Sequence, residues 1–328
     1  MKKIFFLFTV VILAITGCKN SSVKSTVYAH GNPGDIVVVM SNERWNSESG
    51  DTLRAIFNEE LPGTPMNEPI FDLHQLPVEK FATVNMHHRN IIYQEINPDI
   101  EKSTIKLIKN KYAVNQIFVH VLAKSQAEFV QIVSSNRESL IETFLEADRD
   151  RWIAQYTRHI NNMDSDKIRN KYDILIKVPK NYYMEVSKDD FAWISNDTRK
   201  YSMNILIYTY PLTDSTSFTT EHLIAERNKI LKENVPGENP GSYMSTEVKY
   251  DYPTLEVIEH NNQPTGILHG LWKVQGDFMG GPFVSYTKID EPRNRVVTVE
   301  GFVYHPNEEV RDKIRLLEGI IYTFDILK

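Results

Sequence analysis

The stretch Asp35-Ile36-Val37-Val38-Val39-Met40 decides where this 328-residue chain begins to fold. Five consecutive apolar residues, three of them valines, lie between turn-forming residues on either side. Valine and isoleucine favour strands because their branched side chains pack well on a pleated surface, and a short apolar run bounded by turns is typical of a buried strand. We therefore expect the first buried strand of the protein at this position.

The segment that follows predicts a short helix, several strands and a long helix. A short helix is expected between its candidate N-cap, Asp51, and the Pro62-Gly63 pair that would end it. Strands are expected at residues 70–76, 82–87, 90–96, 103–109 and 113–122. Because these strands are short and adjacent, antiparallel pairing is favoured. A capping box, Ser125-Gln-Ala-Glu128, opens the long helix, and the charged residues 148–151 predict a bend or a second helix.

Strands resume after residues 161–166, which we expect to form a linker. They are predicted at residues 172–178, 182–186, 190–195, 201–210, 243–251, 254–260, 265–275, 283–290 and 294–304. A helix is expected at about 220–234, and Asn307 is the candidate N-cap of a terminal helix. The predicted fold class is α+β, with predominantly antiparallel sheets backed by helices, and the similar order of elements around residue 165 suggests two structurally similar halves.

The first eighteen residues have the pattern of a lipoprotein signal peptide. Lys2 and Lys3 precede the mostly apolar residues 4–15, which are too few for the roughly 20 residues that span a membrane as a helix. Ile15-Thr16-Gly17-Cys18 resembles the bacterial lipobox, and this resemblance implies cleavage before Cys18 and its acylation with fatty chains such as palmitate. The predicted organisation is a signal peptide at 1–17, a lipid-anchored flexible tether at 18–34, an N-terminal half at 35–165 and a C-terminal half at 166–328.

The residues after Cys18 predict which membrane holds the anchor and which side the protein faces. Lys19 stands where the inner-membrane retention signal of enterobacteria has aspartate, and no acidic cluster resembling the surface-export signal of Bacteroidota lipoproteins follows. We therefore expect an outer-membrane protein that faces the periplasm.

Composition excludes several classes of function. Cys18 is the only cysteine, so the mature chain has no free thiol for catalysis, disulfide formation or metal binding. The formal net charge is −6, and loss of the two leader lysines would make it more negative, so a nucleic-acid partner is not expected.

Two segments, together with the lipobox, suggest a family. They are Gly31-Asn-Pro-Gly-Asp-Ile-Val-Val-Val-Met40 and Leu271-Trp-Lys-Val-Gln-Gly-Asp-Phe-Met-Gly-Gly-Pro-Phe283. The chain resembles an uncharacterised family of Bacteroidota lipoproteins, of the domain of unknown function 4837 type, over almost all of its mature length. The resemblance implies a lineage and a location, and it supplies no catalytic residue.

The second of these segments is the candidate ligand loop. The candidate residues are Trp272, Gly276, Asp277, Phe278, Gly280, Gly281 and Phe283. Its glycines allow backbone angles closed to other residues, and its aromatic residues offer apolar contact area. The alternative is a β-hairpin with a glycine-rich turn and aromatic residues in the core. No dinucleotide-binding or Walker pattern occurs, so no cofactor is predicted.

Metal-binding and serine-nucleophile patterns are weak. His222 and Glu226 have helical spacing and His87-His88 are adjacent, but solvated surface is the expected role of both pairs, and no metal is predicted. The Ser103-Thr-Ile-Lys106 match lacks the Ser-Asp-Asn and Lys-Thr-Gly partners that such a nucleophile needs.

Two further patterns concern glycans. Asp189 and Asp190 lie near aromatic residues, but neighbours on a strand point to opposite faces and could not flank one bond. Asp51-Thr-Leu53 and Asp214-Ser-Thr216 resemble the short O-glycosylation sequon of Bacteroidota.

The sequence assembles no catalytic set, so the expected role is non-catalytic binding of an envelope protein or a small-molecule ligand, besides the membrane bound through the acyl chains. A ligand would bind most naturally in a groove where the two halves meet. The alternative is an envelope hydrolase or carbohydrate-active enzyme whose site is assembled from distant residues. A cleft that holds two carboxylates, or a serine beside a histidine, with strongly shifted pKa values would favour the enzyme, whereas a deep apolar pocket between the halves would favour a small-molecule-binding protein.

Overall fold

The chain folds around two main β-sheets, one in each half, in the computed structural model, which describes residues 27–213 and 218–328. Helices pack against both sheets, and the predicted α+β class with predominantly antiparallel sheets backed by helices is confirmed. No helix within these two ranges is both long and apolar enough to cross a membrane. Two predicted features, Cys18 and the Asp214-Ser215-Thr216 sequon, lie outside the described residues.

The first half contains a five-stranded sheet flanked by helices. Its elements are β1 (Asp35–Val39), α1 (Asn42–Trp45), α2 (Glu48–Phe57), β2 (Asp72–Leu76), β3 (Asn90–Ile96), β4 (Thr104–Lys109), β5 (Ile117–Ala123), α3 (Gln126–Ser135) and α4 (Arg137–Thr157), with 3-10 turns at Val78–Lys80 and Thr83–His87. The strand order is β2-β1-β3-β5-β4. Every residue of β1 is buried, because α2, α3 and α4 cover one face of the sheet and residues around Phe81 cover the other.

Strand pairing in this sheet differs from the expectation of antiparallel neighbours. β1 pairs in parallel with β2 and β3, and β3 pairs in parallel with β5, so only β4 is antiparallel to its neighbour. The reason is the length of the connections: α1 and α2 return the chain between β1 and β2, and two 3-10 turns lie between β2 and β3 where a strand at 82–87 was expected.

The helical break predicted at residues 148–151 lies instead at Asn136, where α3 ends and α4 begins. The charged segment continues the helix, because Asp148 is buried and pairs with Arg151 at 2.5 Å within the same helix. The predicted cap of α3 is confirmed, since Ser125 Oγ accepts a hydrogen bond from the Glu128 amide at 3.3 Å. Asp51 does not cap α2, which begins after Ser47.

The second half contains an eight-stranded antiparallel sheet that curls into a half-barrel. Its elements are α5 (Asn162–Tyr172), β6 (Ile174–Leu175), β7 (Tyr183–Ser187), β8 (Phe191–Asp197), β9 (Ser202–Pro211), α6 (Thr220–Asn234), β10 (Tyr243–Glu247), β11 (Thr254–Glu259), β12 (Pro264–Gln275), β13 (Gly280–Asp290), β14 (Arg295–Tyr304), α7 (Arg311–Ile321) and β15 (Asp325–Ile326). The strand order is β10-β12-β13-β14-β9-β8-β7, and β11 also pairs with β12. The two halves therefore differ in topology, contrary to the suggested similarity.

Two predicted boundaries of this half are wrong for a local reason. Residues 161–166 are not a linker, because the Asn161 side chain accepts a hydrogen bond from the Asp164 amide at 3.3 Å and caps α5. The strand expected at 172–178 is reduced to the two residues of β6, since α5 extends to Tyr172.

Both faces of the large sheet are covered. Helices α5 and α7 pack on one face, and α6 packs on the other. Arg227 of α6 is buried under the sheet and binds Glu300 with two hydrogen bonds, at 2.9 and 2.7 Å, while the Tyr208 hydroxyl donates to the same carboxylate at 3.1 Å. This charge pair is fully hydrogen-bonded and fixes α6 to the sheet.

Helix α7 of the second half makes hydrogen bonds with the first half. Glu68, a buried residue of the loop before β2, accepts hydrogen bonds from the backbone amides of Val310 at 2.9 Å and Arg311 at 2.8 Å. Glu68 therefore takes the capping role expected of Asn307, because a distant carboxylate reaches the positive end of the helix. Arg311 in turn donates to Asp72 at 2.7 Å and to the Pro69 carbonyl at 3.1 Å. We call this set the Glu68–Arg311 contact.

The described part of the predicted tether belongs to the first half. The Ala29 amide donates to the Val114 carbonyl at 2.9 Å, and the Gly34 amide donates to the Asp148 carboxylate at 3.0 Å. Residues 27–34 are thus bound to the fold, and the predicted tether does not extend over them.

Candidate functional site

Next to the Glu68–Arg311 contact the two halves separate and leave a cleft of about 500 Å³. Its walls come from residues 61–64 and α4 in the first half and from β11, β12, β13 and α7 in the second. Pockets that hold small molecules have roughly 300–1,000 Å³, so the cleft has a suitable size for a ligand. It lies at the junction of the halves, where a ligand is expected from the order of elements.

Charged side chains from both halves meet in the cleft. Arg149 of α4 places Nη2 3.6 Å from Oε1 of Glu142, and its guanidinium lies 4.3 Å from the centre of the Tyr322 ring. Glu318 of α7 accepts a hydrogen bond from the Tyr286 hydroxyl at 3.0 Å and lies 3.8 Å from His269 Nε2. This group of charged side chains therefore forms only when the two halves of the chain pack together.

The two glutamates have pKa values shifted in opposite directions. Partial burial in the cleft raises the pKa of Glu142, although its side chain stays 56% exposed, and the nearby Arg149 offsets only part of that rise. Burial would also raise the pKa of Glu318, but the neighbouring His269 and the hydrogen bond from Tyr286 outweigh it, so this pKa is lowered. Two carboxyl groups whose pKa values are shifted in opposite directions can act as a general acid and a general base.

Arg315 lies one turn beyond Arg311 on α7 and lines the same cleft. Both of its terminal nitrogens are covered, and neither has a hydrogen-bond partner among the described residues. Its guanidinium lies 5.2 Å from the centre of the Phe71 ring. Burial, with a contribution from the like charge of Arg311, lowers the pKa of Arg315 to about 10.

The mouth of the cleft is acidic and its walls are largely apolar. The exposed acidic lining residues are Glu142, Glu146, Glu256 and Glu259. The less exposed lining residues include Leu145, Trp152, Ile258, Ile267, Phe283, Tyr286 and Ile314. A ligand here would meet carboxylates first and apolar surface with two arginines deeper in.

The candidate ligand loop is the hairpin between β12 and β13, which was the stated alternative. Gly276 has φ of +88° in the turn, and a Cβ on Gly281 would lie 2.2 Å from the Val303 carbonyl oxygen, so both positions need glycine. Asp277 accepts a hydrogen bond from the Phe278 amide at 2.6 Å, and the Phe278 side chain is fully exposed.

The structure separates the other members of this loop. Trp272 and Phe283 are buried, and Gly280 begins β13. Of the seven candidate residues, only Phe283 lines the cleft between the halves. Trp272 lines a smaller pocket of about 260 Å³ with Trp193 and Tyr304. In this second pocket the indole nitrogen of Trp193 donates to Asn204 at 2.8 Å.

The other sequence patterns do not form a site. His222 and Glu226 lie on α6, where Glu226 is 3.6 Å from Lys229, and no group of three or more His, Cys, Asp or Glu in residues 27–213 and 218–328 is arranged to hold a metal ion. Ser103 donates to the Glu128 carboxylate. Asp189 and Asp190 are exposed in the turn before β8.

The residues that the cleft brings together are not predicted by any motif in the sequence. Glu142 and Arg149 are two helical turns apart in α4, and this i,i+7 spacing was the one available sign that they share a face. Arg149 was instead assigned to a break in the helix. Glu318 and Arg315 come from the opposite end of the chain, and no local pattern links them to α4.

The family comparison divides the chain in the same place as the fold. Residues 161–323 match the family described as Domain of unknown function (DUF4837), and residues 29–157 match the one described as Domain of unknown function (DUF8532). The predicted resemblance to a family of the 4837 type is confirmed over residues 161–323, whereas the first half of the chain, expected to share it, matches a different family of unknown function. No curated protein matches the chain significantly.

Solved structures show only a distant likeness. A point mutant of protein Mog1 is 12% identical with a TM-score of 0.32, over 48% of this chain and 92% of its own. The Saccharomyces cerevisiae Ran-binding protein Mog1p is 11% identical with a TM-score of 0.31, over 48% and 91%. The lipid transfer and protein localization domain of human StarD13 (DLC2) is 7% identical with a TM-score of 0.23, over 50% and 94%. These values carry no functional conclusion.

Proposed function

We propose a function from the chain's own residues, since the two families that it matches are both of unknown function: a lipid-anchored cell-envelope protein that binds a small polar ligand in the cleft between its halves. The observation that carries the binding role is the convergence of Glu142 and Arg149 from one half with Glu318 from the other in a cleft with apolar walls. Such a combination of few polar groups and apolar surface is typical of ligand sites.

The anchor is supported by the leader pattern. Two lysines, a short apolar segment and the lipobox-like Ile15-Thr16-Gly17-Cys18 precede the fold. Each buried CH₂ of an acyl chain contributes about 0.8 kcal/mol, so two or three chains on Cys18 would hold the protein stably. We place it at the outer membrane, facing the periplasm, on the residues that follow Cys18.

The anchor is tested by mass spectrometry and detergent partition of the full-length protein. We expect the mass of a chain that starts at an acylated Cys18 and recovery in the detergent phase. The Cys18→Ala variant should keep its leader and lack acyl chains. An unmodified thiol in the wild-type protein would contradict the anchor.

The binding role is tested by identifying what co-purifies with the full-length protein from membranes of the native organism. We expect one small molecule near stoichiometric amount in the wild type and in Arg199→Met, a control on an exposed turn, and its loss in Arg149→Met. Equal small-molecule content in all three proteins, or none in any, would refute binding in the cleft.

A hydrolase acting on an envelope glycan is the second candidate function. The opposite pKa shifts of Glu142 and Glu318 favour it, since glycosidases use one protonated and one ionised carboxyl group. Release of reducing sugar from an envelope polysaccharide, abolished by both Glu142→Gln and Glu318→Gln, would establish this function. Absence of turnover in a protein that still binds its ligand would leave the binding role alone.

A further inference from the structure

The cleft is lined by an arginine, Arg315, whose terminal nitrogens have no hydrogen-bond partner among the described residues. Arg311 of α7 is paired with Asp72 at 2.7 Å, whereas Arg315, one turn later, has covered terminal nitrogens and no hydrogen-bond partner in residues 27–213 and 218–328. Neighbouring carboxylates are already engaged, since Asp148 binds Arg151 at 2.5 Å and Glu318 accepts from a tyrosine hydroxyl. A covered guanidinium without hydrogen bonds is costly, and a bound anion would relieve that cost.

A carboxylate is the anion that suits this position. The guanidinium group presents a planar fork of N–H donors that matches the two oxygens of a carboxylate. Arg149 lines the same cleft, and its side chain is 21% exposed, so it provides a second cation in the cleft.

The mouth of the cleft carries the opposite charge. Glu142, Glu146, Glu256 and Glu259 are exposed lining residues, and no lysine is among the cleft's described lining residues. A simple anion would be repelled by these carboxylates, and a simple cation would leave Arg315 without a counterion. A ligand with a positive charge at one end and a negative charge at the other can pair with the glutamates at the mouth and with Arg315 at the same time.

We infer that the cleft binds a zwitterion, a free amino acid or short peptide, with its carboxylate toward Arg315 and its ammonium group toward the glutamates at the mouth. This inference rests on the proposed binding function and names the class of ligand. Ile258, Ile267 and Trp152 supply the apolar surface that a side chain of the ligand would contact.

The chemistry is tested on the full-length protein by thermal unfolding with three matched pools. The first is an equimolar pool of L-dipeptides of the twenty amino acids, the second the same dipeptides N-acetylated, and the third their C-terminal methyl esters. We expect the first pool to raise the Tm by about 2 °C or more and the two blocked pools to have little effect. The twenty free amino acids, tested alone, distinguish an amino acid from a peptide.

The role of Arg315 is tested with the same pools. Arg315→Met should no longer respond to the dipeptides, with a Tm without ligand that equals or exceeds that of the wild type, and Arg315→Lys should respond partly. Arg199→Met, the exposed control, should respond like the wild type. A wild-type response in Arg315→Met would overturn the inference.

The outcomes separate this inference from the proposed function. An equal response to all three pools would mean that the cleft binds peptides without recognising their charges, which overturns the zwitterion and keeps the binding role. No response to any pool or to the amino acids also overturns the zwitterion, and the binding role is then decided by the co-purifying molecule alone.

Discussion

The Glu68–Arg311 contact and the cleft beside it use the same helix in opposite ways. At the contact, the amino end of α7 and the guanidinium of Arg311 receive carboxylates from the first half, Glu68 and Asp72. In the cleft, one turn along α7, Arg315 lies against the same half, and no carboxylate of residues 27–213 and 218–328 forms a hydrogen bond with its terminal nitrogens. Both arginines are largely buried, but in the part of the chain that the structure describes only Arg311 is paired with a carboxylate of the first half. This contrast indicates that Arg311 holds the two halves together, and it agrees with a ligand bound at Arg315 as we propose.

The largest effect should come from breaking the contact. Glu68→Ala removes the acceptor for two backbone amides at the start of α7 and leaves both buried. We expect a loss of about 3 kcal/mol in the free energy of unfolding, from a lost cap and two unsatisfied N–H groups. Urea denaturation measures it, with Glu79→Ala as an exposed control that should change stability by less than about 0.5 kcal/mol.

A small effect of Glu68→Ala would mean that the Glu68–Arg311 contact does not hold α7 in place. If the m-value also fell, the two halves would be unfolding separately, and the contact would not couple them.

Substitution by methionine should change the free energy of unfolding in opposite directions at the two arginines. Arg311→Met leaves the Asp72 carboxylate and the Pro69 carbonyl without their donor, and we expect a loss of about 2 kcal/mol. Arg315→Met removes a covered charge whose terminal nitrogens form no hydrogen bond within the described part of the chain, and we expect a gain of about 1 kcal/mol in the absence of ligand. Urea denaturation of the two variants side by side measures both, and losses of equal size would refute the distinction.

Much of the fold could be predicted from the sequence where local patterns decide it. The β1 run, the Ser125 cap and the 220–234 helix follow from neighbouring residues. The parallel pairing of the first sheet could not be predicted, because it depends on which connections cross over the sheet. The cap of α7 was missed for a similar reason, since Glu68 is more than 200 residues away from the helix it caps.

The candidate site was less predictable than the fold. The glycines and aromatic residues of the loop 271–283 indicate a ligand loop, yet in the structure the glycines form a hairpin, and Trp272 and Phe283 are buried. The cleft is built from charged residues such as Glu142 and Glu318, which in the sequence look like ordinary solvated surface. Their role depends on burial and on neighbours from the other half, and neither can be read from spacing.

The smallest effect concerns the two glutamates of the cleft and the pH dependence of stability. The lowered pKa of Glu318 contributes stability that is present above the ordinary glutamate value of 4.5 and is lost as the pH falls through the folded-state pKa. The raised pKa of Glu142 contributes stability that is full below 4.5 and is lost as the pH rises through its own folded-state pKa. Both glutamate side chains keep some contact with solvent, so solvent screening limits the contribution of each one to the free energy of unfolding.

Removing each carboxylate should therefore change the pH profile in opposite directions. Relative to the wild type, Glu318→Gln should be less stable at neutral pH and converge with it as the pH falls below 4.5. Glu142→Gln should gain relative stability as the pH rises above 4.5, because the ionised form it removes is disfavoured by burial. Urea midpoints measured at intervals between pH 3.5 and about 7 would show the two trends. Parallel profiles for the two variants would mean that the glutamates share one environment, and the acid and base roles of the second candidate function would lose their support.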